Sequence, residues 1–389
     1  MKTYLEFFAG VGLVREGMSR DNWNCLWAND YSKDKQDTYI QNYGNEHFVL
    51  ADIWDVAKDS DNLPEAFMYT ASFPCTDLSV AGNRAGLAGA ESGTINAIFD
   101  ILDKKEKEKN KPKIVMLENV KGFLTSNNGG DCLNTVNLFT QLGYFVDILE
   151  IDAAYFTPQS RQRVFMIAVD ESIADKVMSI RDNEKTQNLW FDILNSNTVI
   201  RSPKVTNIIK KSPELNWGLF NIEFNREFNT NLNEIIDLSV EDESSLWWSN
   251  KRKEHLFNQM NQKHKNILNE MVKHEYLSYG TVFRRMRKGV STAEMRTDGI
   301  AGCLRTPKGG SSKQILIQAG FGEWKVRLLN PREYARLQGV RDSFLLPENM
   351  NKSFFAMGDA VCVPVIEFLS TQALTPCFEA WENANYFKR

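Results

Sequence analysis

The stretch TYLEFFAGVG, residues 3–12, decides the fold. A mostly apolar run leads directly into Gly10, Val11 and Gly12 and then into a helix-like segment. This order predicts a β-strand, a glycine-rich turn and a helix, in which a ligand comes close to the backbone at the helix amino terminus. The next glycine is Gly17, so the GxGxxG spacing of a dinucleotide site is absent, which argues against a nicotinamide oxidoreductase.

The same rhythm of strand-like and helix-like segments continues through the first 170 residues. The other strand-like runs are CLWAND, FVLAD, AFMYTASFP, IVMLENV, YFVDILEI and VFMIAV, and helix-like stretches occupy 33–43, 92–103 and 131–142. This alternation predicts an α/β fold with a mainly parallel sheet, helices on both faces and ligands at the carboxyl ends of the strands. The last two runs are only about ten residues apart, too close for a crossover helix, and predict an antiparallel edge pair.

The second and third predicted strands each end in a polar side chain. Asp30 follows Gly10 by twenty residues, where a carboxylate accepts hydrogen bonds from ribose hydroxyls, and Tyr31 offers a ring for stacking. Asp52 closes the third strand in the same way. Together with the glycine-rich turn, these residues predict a nucleoside ligand that carries no pyrophosphate.

A candidate nucleophile follows the fourth strand, in the sequence SFPCTDLS of residues 72–79. Cys75 stands there behind a proline, where the ligand cleft opens. The fifth strand delivers Glu118 to the same edge of the sheet, and Arg161 and Arg163 precede the seventh strand. A thiol, an acid and a guanidinium beside an adenosine site suit covalent activation of an electron-poor ring followed by group transfer.

Composition limits the remaining possibilities. The chain of 389 residues is 42% hydrophobic and 25% charged, as expected for a globular protein of two or three domains. Its six cysteines form no CxxC pair, so neither a zinc site nor a disulfide framework is expected, and we expect no metal. The start MKTYLEFF is interrupted at Glu6 and no apolar stretch reaches membrane-span length, which predicts a cytoplasmic location without a membrane partner.

Positive charge is concentrated in one segment. Residues 281–340 contain 12 Lys and Arg against 4 Asp and Glu, a local charge of +8, so the rest of the chain carries -12. The segment includes TVFRRMRKG and AGCLRTPKGGSSKQ, which alternate arginine with glycine and hydroxyl side chains. Beside the candidate catalytic residues, this pattern predicts contact with a nucleic-acid backbone and base edges.

These motifs carry a family resemblance. In order, FAGVG, Asp30, Asp52–Ile53, PCTDLS, ENV, QSRQR, RLLNPREYARLQG and GDAV resemble the motifs of bacterial-type DNA cytosine-5 methyltransferases. The resemblance covers about 1–170 and 327–370 and implies a Rossmann-like S-adenosylmethionine-dependent methyltransferase fold with a largely irregular inserted target-recognition domain. The implied domains are catalytic at 1–178, target-recognition at 179–326, a hinge at 327–354, and a helical part at 355–389 that completes the catalytic domain.

The resemblance also implies roles for single residues. Cys75 would attack carbon 6 of a cytosine, Glu118 would protonate ring nitrogen 3, and Arg163, aided by Arg161, would hold the carbonyl oxygen. The residues that would bind S-adenosylmethionine are Phe8, Ala9, Gly10, Val11, Gly12, Asp30, Tyr31, Asp52, Ile53, Pro74 and Asp359. The base that removes the carbon 5 proton is not identified, and none of the four histidines falls in a motif.

The implied substrate is double-stranded DNA, from which the target cytosine must be flipped because a stacked base is out of reach. The residues predicted to contact DNA are Ser79, Arg284, Arg285, Arg287, Arg296, Arg305, Thr306 and Lys308. We expect a monomer that modifies one short sequence, with a cognate restriction endonuclease acting separately. Two alternatives stay open, namely an RNA cytosine-5 methyltransferase and a catalytically silent DNA-binding homologue.

Three positions depart from the family pattern. Thr76 replaces the usual glutamine after the cysteine, which leaves open how the gap that a flipped base leaves in the duplex is filled. Leu13 replaces a second glycine and Asp359 an asparagine, and both changes are expected to tune cofactor affinity.

Overall fold

The computed structural model describes residues 1–78, 86–181, 187–196, 198–287, 289–306 and 313–386. The chain forms two compact units. The first unit comprises 1–151, 162–225 and 365–389, and the second comprises 152–161 and 226–364.

The first unit is built on a seven-stranded sheet. Its strands are β1 (Thr3–Phe7), β2 (Asn24–Asp30), β3 (Phe48–Leu50), β4 (Met68–Ala71), β5 (Ile114–Val120), β6 (Tyr144–Asp152) and β7 (Gln162–Asp170). The order is β3-β2-β1-β4-β5-β7-β6; β1 to β5 are parallel, and β7 runs antiparallel to β5. All seven strands predicted from the sequence are present.

Helices alternate with these strands. They are α1 (Leu13–Ser19), α2 (Lys33–Tyr43), α3 (Ile53–Lys58), α4 (Ile95–Lys107), α5 (Gly130–Gln141), α6 (Glu171–Val177), α7 (Gln187–Ser196) and α8 (Pro203–Lys211). The spacing of Ile95, Ile98 and Leu102 puts all three on one face of α4, and all three are fully buried. The helices predicted at 33–43, 92–103 and 131–142 thus correspond to α2, α4 and α5.

Residues 198–225 pack within the first unit. The buried Arg201 side chain forms two hydrogen bonds, of 3.0 and 2.5 Å, with the carboxylate of Asp147 on β6, and that carboxylate also accepts from the Phe220 N–H. Two short strands, β8 (Ser179–Ile180) and β9 (Gly218–Leu219), pair nearby. The sequence-based division placed this segment in the target-recognition domain, whereas its polar and apolar contacts tie it to the sheet.

The second unit contains an antiparallel sheet. Its strands β10 (Ser278–Arg287), β11 (Val290–Arg296), β12 (Ile315–Gly320) and β13 (Glu323–Leu328) lie in the order β11-β10-β12-β13. Apolar residues of this sheet and of two helices, α9 (Asn250–Gln259) and α10 (Gln262–Val272), form one core cluster. Much of the basic segment therefore lies in regular structure that the weak sequence periodicity did not indicate.

The remaining helices are α11 (Pro331–Leu337), α12 (Met350–Asp359), α13 (Val363–Leu369) and α14 (Thr375–Tyr386), with a π-helical turn at Ser370–Leu374. The helical stretch from Met350 to Tyr386 is long enough to span a membrane, and an 18-residue apolar window within it has a mean hydropathy of 1.5. Inside the protein, 67% of that apolar window is buried. Because a core helix meets the same criteria, this feature does not indicate a membrane partner.

We expect Asp147→Ala to lower the free energy of unfolding of the first unit by about 3–5 kcal/mol, because the buried Arg201 guanidinium loses its charged partner. The paired change Asp147→Leu with Arg201→Met removes both charges and is expected to recover most of that loss. Urea unfolding followed by tryptophan fluorescence measures both effects. Wild-type stability of the single variant would contradict the structural role of the pair.

Candidate active site

The glycine-rich turn after β1 is held by Asp30 from the end of β2. One oxygen of this carboxylate accepts from the Gly10 N–H and the other from the Ser32 N–H, both at 2.9 Å. Asp30 is only 4% exposed. A carboxylate has further lone pairs for ligand hydroxyl groups, so its structural role is compatible with the predicted ribose contact.

The turn is open on one side and tight on the other. Gly10 and Gly12 have φ of +59° and +85°, values that favour glycine. A Cβ at Gly10 would face open space, whereas one at Gly12 would lie 2.6 Å from the ring of Tyr43 and 2.9 Å from that of Tyr39. The backbone at Gly10 is thus accessible to a ligand, while Gly12 is fixed against two rings of α2.

Other predicted cofactor residues lie at neighbouring strand ends. Tyr31 follows β2 and is 70% exposed, so its ring is available for stacking. Asp52 follows β3 and caps α3 by accepting from the Trp54 N–H at 2.8 Å, with the buried Ile53 behind it. The sheet order puts β1, β2 and β3 side by side, so an exposed ring, two carboxylates and an open turn share one edge. This set fits an adenosine-bearing ligand.

Sequence reasoning missed Glu6. This side chain on β1 is 1% exposed, and among the described residues neither of its carboxyl oxygens has a hydrogen-bond partner. Burial raises the pKa of the Glu6 carboxyl to about 8, although the nearby Arg15 acts in the opposite direction. An acid inside a strand gives no sequence signal that separates it from a solvent-facing residue.

Cys75 lies in a turn just after β4. The thiol-bearing residue is half-buried, and its carbonyl accepts from the Leu78 N–H at 3.0 Å. The side chain of Asn119, at the end of β5, donates to the carbonyl of Phe73 at 3.0 Å. This bond ties the ENV segment to the segment that carries Pro74 and Cys75.

Glu118 and Arg163 form an ion pair between adjacent strands. The Arg163 Nε atom lies 3.1 Å from the Glu118 carboxylate, and both side chains are mostly buried. The register explains the contact, because Val120 pairs with Arg163 and Glu118 with Phe165. Two of the predicted catalytic residues are therefore brought together at the carboxyl end of β5.

Arg161 has a different environment. Its side chain is 1% exposed, and its terminal nitrogens donate to the carbonyls of Leu304, Gly358 and Ala360 at 2.7–3.2 Å. These bonds give Arg161 a structural role in the second unit. Its aid to Arg163 in binding a cytosine stays a prediction, and the geometry favours the structural role.

The candidate DNA-binding arginines lie mainly on the β10–β11 hairpin. Arg285 and Arg287 are exposed and both pair with Glu294, while Arg296 pairs with Asp298 at 2.7 Å. Of the other residues predicted to contact DNA, Arg284 and Thr306 are half-buried and Arg305 is exposed. Asp359, which was predicted for the cofactor site, is also exposed. Ser79 and Lys308 lie outside the described residues.

Because the carboxyl of Glu6 has a pKa near 8 in the folded protein and 4.5 as its ordinary value, the contribution of Glu6 to stability is greatest at low pH. That contribution is present below about pH 4.5 and is lost as the pH rises toward about 8. We expect Glu6→Gln to remove this dependence, so that its melting temperature rises relative to wild type across the window. Thermal melts between pH 5 and 8 test this, and parallel curves would refute it.

Comparison with known proteins places the chain in a family. A family model described as C-5 cytosine-specific DNA methylase matches residues 2–374. Similar proteins include the type II methyltransferase M.HhaI of Haemophilus parahaemolyticus, 25% identical over 370 residues that cover 94% of this chain and 92% of that protein. M.BsuFI of Bacillus subtilis is 34% identical over 167 residues, which cover 42% of this chain and 38% of that protein.

Solved structures agree at the level of the fold. The S. pombe Dnmt2 methyltransferase superposes with a TM-score of 0.62 at 16% identity and covers 96% of this chain and 98% of its own. The predicted α/β, Rossmann-like methyltransferase fold is confirmed. The match of the family model over almost the whole sequence shows that this chain belongs to the family of C-5 cytosine-specific DNA methylases.

Proposed function

We propose that this enzyme transfers a methyl group from S-adenosylmethionine to carbon 5 of a cytosine in a short, specific sequence of duplex DNA. The observation that carries the proposal is the Glu118–Arg163 pair at the end of β5. Asn119 joins this strand end to the segment that carries Cys75. An acid, a guanidinium and a thiol at one sheet edge supply the groups that covalent activation of cytosine requires.

The cofactor would occupy the edge formed by β1, β2 and β3. The accessible backbone of Gly10, the buried carboxylate of Asp30 and the exposed ring of Tyr31 support this assignment. S-adenosylmethionine supplies an electrophilic methyl group. Phe8, Ala9, Val11, Gly12, Asp52, Ile53, Pro74 and Asp359 are the other residues that we propose for its site.

The protein's own residues would activate the cytosine. The Cys75 thiolate attacks carbon 6 while Glu118 holds a proton at ring nitrogen 3 and Arg163 holds the carbonyl oxygen. Carbon 5 thereby becomes nucleophilic and accepts the methyl group. Loss of the carbon 5 proton then allows the carbon 6–sulfur bond to break, which restores the aromatic ring and the free thiolate.

Access to the cytosine requires base flipping, which costs a few kcal/mol of unstacking. Contacts between DNA phosphates and basic residues would offset this cost. The β10–β11 hairpin is suited to the task because it presents Arg285 and Arg287 on an exposed surface. Arg296, Arg305 and Thr306 are further proposed contacts.

The relatives support a proposal for the biological setting. Several are named type II methyltransferases and come from bacteria, which supports a cytoplasmic modification enzyme with a restriction endonuclease acting separately. An asymmetric recognition region needs no symmetric partner, so we propose that a monomer acts on the DNA.

The first test is base-resolution methylation sequencing of DNA from cells that express the wild-type chain or Cys75→Ala. We expect methylated cytosines in one short motif with wild type and none with the variant, because alanine cannot form the bond to carbon 6. Methylation by the variant would refute the covalent mechanism. Unmethylated DNA with a folded, cofactor-bound wild type would instead favour RNA as the substrate or a silent DNA-binding protein.

The salt dependence of DNA binding tests whether the β10–β11 hairpin contacts DNA phosphates. We expect the double variant Arg285→Ala/Arg287→Ala to bind duplex DNA more weakly and to flatten the slope of log affinity against log salt by about 0.9 for each phosphate that it no longer neutralises. Lys107→Ala, which removes an exposed cation at the end of α4, is the matched control and should keep the wild-type slope. Equal slopes for all three proteins would exclude the hairpin from the interface.

A further inference from the structure

The turn that carries Cys75 is bonded to a second segment of the chain through Asp77. This side chain is 8% exposed, and its Oδ2 atom accepts from the N–H groups of Glu91 and Ser92, at 3.2 and 3.0 Å. The Asp77 carbonyl also accepts from the Gly86 N–H at 3.2 Å. Three hydrogen bonds to Asp77 thus hold residues 86–92 against the turn.

Ser92 completes the connection from the other side. Its hydroxyl is fully buried, donates to the carbonyl of Pro74 at 2.9 Å and accepts from the Asp77 N–H at 3.3 Å. One hydroxyl therefore bridges the residue before Cys75 and the residue two positions after it. We call Asp77 and Ser92 the clamp.

Close packing leaves the clamp little freedom. A Cβ at Gly89 would lie 2.2 Å from the Asp77 carboxylate, and a Cβ at Gly122 would lie 2.1 Å from the Leu78 carbonyl oxygen. The backbone approaches the turn at both points more closely than any other residue permits. On its far side, the 86–92 segment is held by Asp131 of α5, whose Oδ2 atom accepts from the Leu87 N–H at 3.2 Å.

We propose that Asp77 is a positioning residue for Cys75, which acts through the clamp to fix the direction from which the thiolate approaches the cytosine ring. This inference rests on the proposed function. Cys75 lies between two residues that hydrogen-bond to the Ser92 hydroxyl, namely Pro74 before it and Asp77 after it. The Cys75 carbonyl also accepts from the Leu78 N–H, which follows Asp77 directly. The thiol therefore shifts if the clamp opens.

Displacement of a reacting atom by about 1 Å can lower a rate about 100-fold. A positioning role thus predicts a loss in turnover without a loss in binding. It also predicts that asparagine replaces Asp77 well, because its amide oxygen still accepts from the N–H groups of Glu91 and Ser92. A residue that served only global stability would show neither pattern.

The experiment measures kcat and KM for methyl transfer to duplex DNA, the Kd for S-adenosylmethionine and the melting temperature. For Asp77→Ala we expect kcat to fall about 100-fold while KM and Kd stay within about threefold of wild type. For Asp77→Asn we expect recovery to within about fivefold of the wild-type kcat. Ser92→Ala, which opens only one side of the clamp, should lower kcat about tenfold and carries the test if Asp77→Ala does not fold.

The matched control is Asp170→Ala. Asp170 is also buried, 2% exposed against 8% for Asp77, and it caps α6 by accepting from the Ser172 N–H. It pairs with Lys111 and Lys113 as well, and it ends β7 at the opposite edge of the sheet. It should lower the melting temperature and leave kcat unchanged. The inference is overturned if Asp77→Ala keeps the wild-type kcat, if Asp77→Asn is as slow as Asp77→Ala, or if Asp170→Ala loses as much. If wild type itself transfers no methyl group, the proposed function fails instead.

Discussion

The pairing of β7 with β5 is the constraint on which the candidate active site depends. Because the two strands run antiparallel, the amino-terminal end of β7 lies beside the carboxyl end of β5, and Arg163 reaches Glu118. A parallel β7 would put its first residues at the opposite edge of the sheet. The antiparallel strand thus adds a cation to an edge where parallel strands alone deliver the acid and the thiol.

Buried aspartates hold the loops at the carboxyl edge of the seven-stranded sheet. Asp30 fixes the glycine-rich turn, Asp77 fixes the turn of Cys75, and Asp131 fixes the segment that packs against it. Each carboxylate accepts from backbone N–H groups of turns or of the first residues of short helices. Hydrogen bonds to an ionised carboxylate are stronger than those between neutral groups. They therefore hold the loops at the sheet edge in a fixed conformation.

Much of this arrangement could be predicted from the sequence, because strands buried on both faces leave continuous apolar runs and functional residues follow them directly. The clamp and Glu6 could not, since a hydrogen bond from Ser92 to Asp77 spans fifteen residues and burial of an acid has no local pattern. The ion pair between Arg201 and Asp147 spans fifty-four residues, which explains why the sequence-based division separated them. The four-stranded sheet was not predicted because β10 has three consecutive buried residues and, further along, the consecutive arginines Arg284 and Arg285, so apolar and polar residues do not alternate along it.

The basic segment also shows why net charge alone is a poor measure of a DNA-binding surface. Its local charge is +8, yet Arg285, Arg287 and Arg296 are paired with Glu294 or Asp298 in the isolated chain. Surface pairs of this kind contribute only about 0–1 kcal/mol, so a phosphate or a base edge can displace the carboxylate at little cost. In the protein without DNA, the pairs hold the arginine side chains in few conformations. The entropic cost of ordering these side chains in the proposed complex is therefore lower. The acidic residues of the hairpin are therefore compatible with the proposed DNA contact.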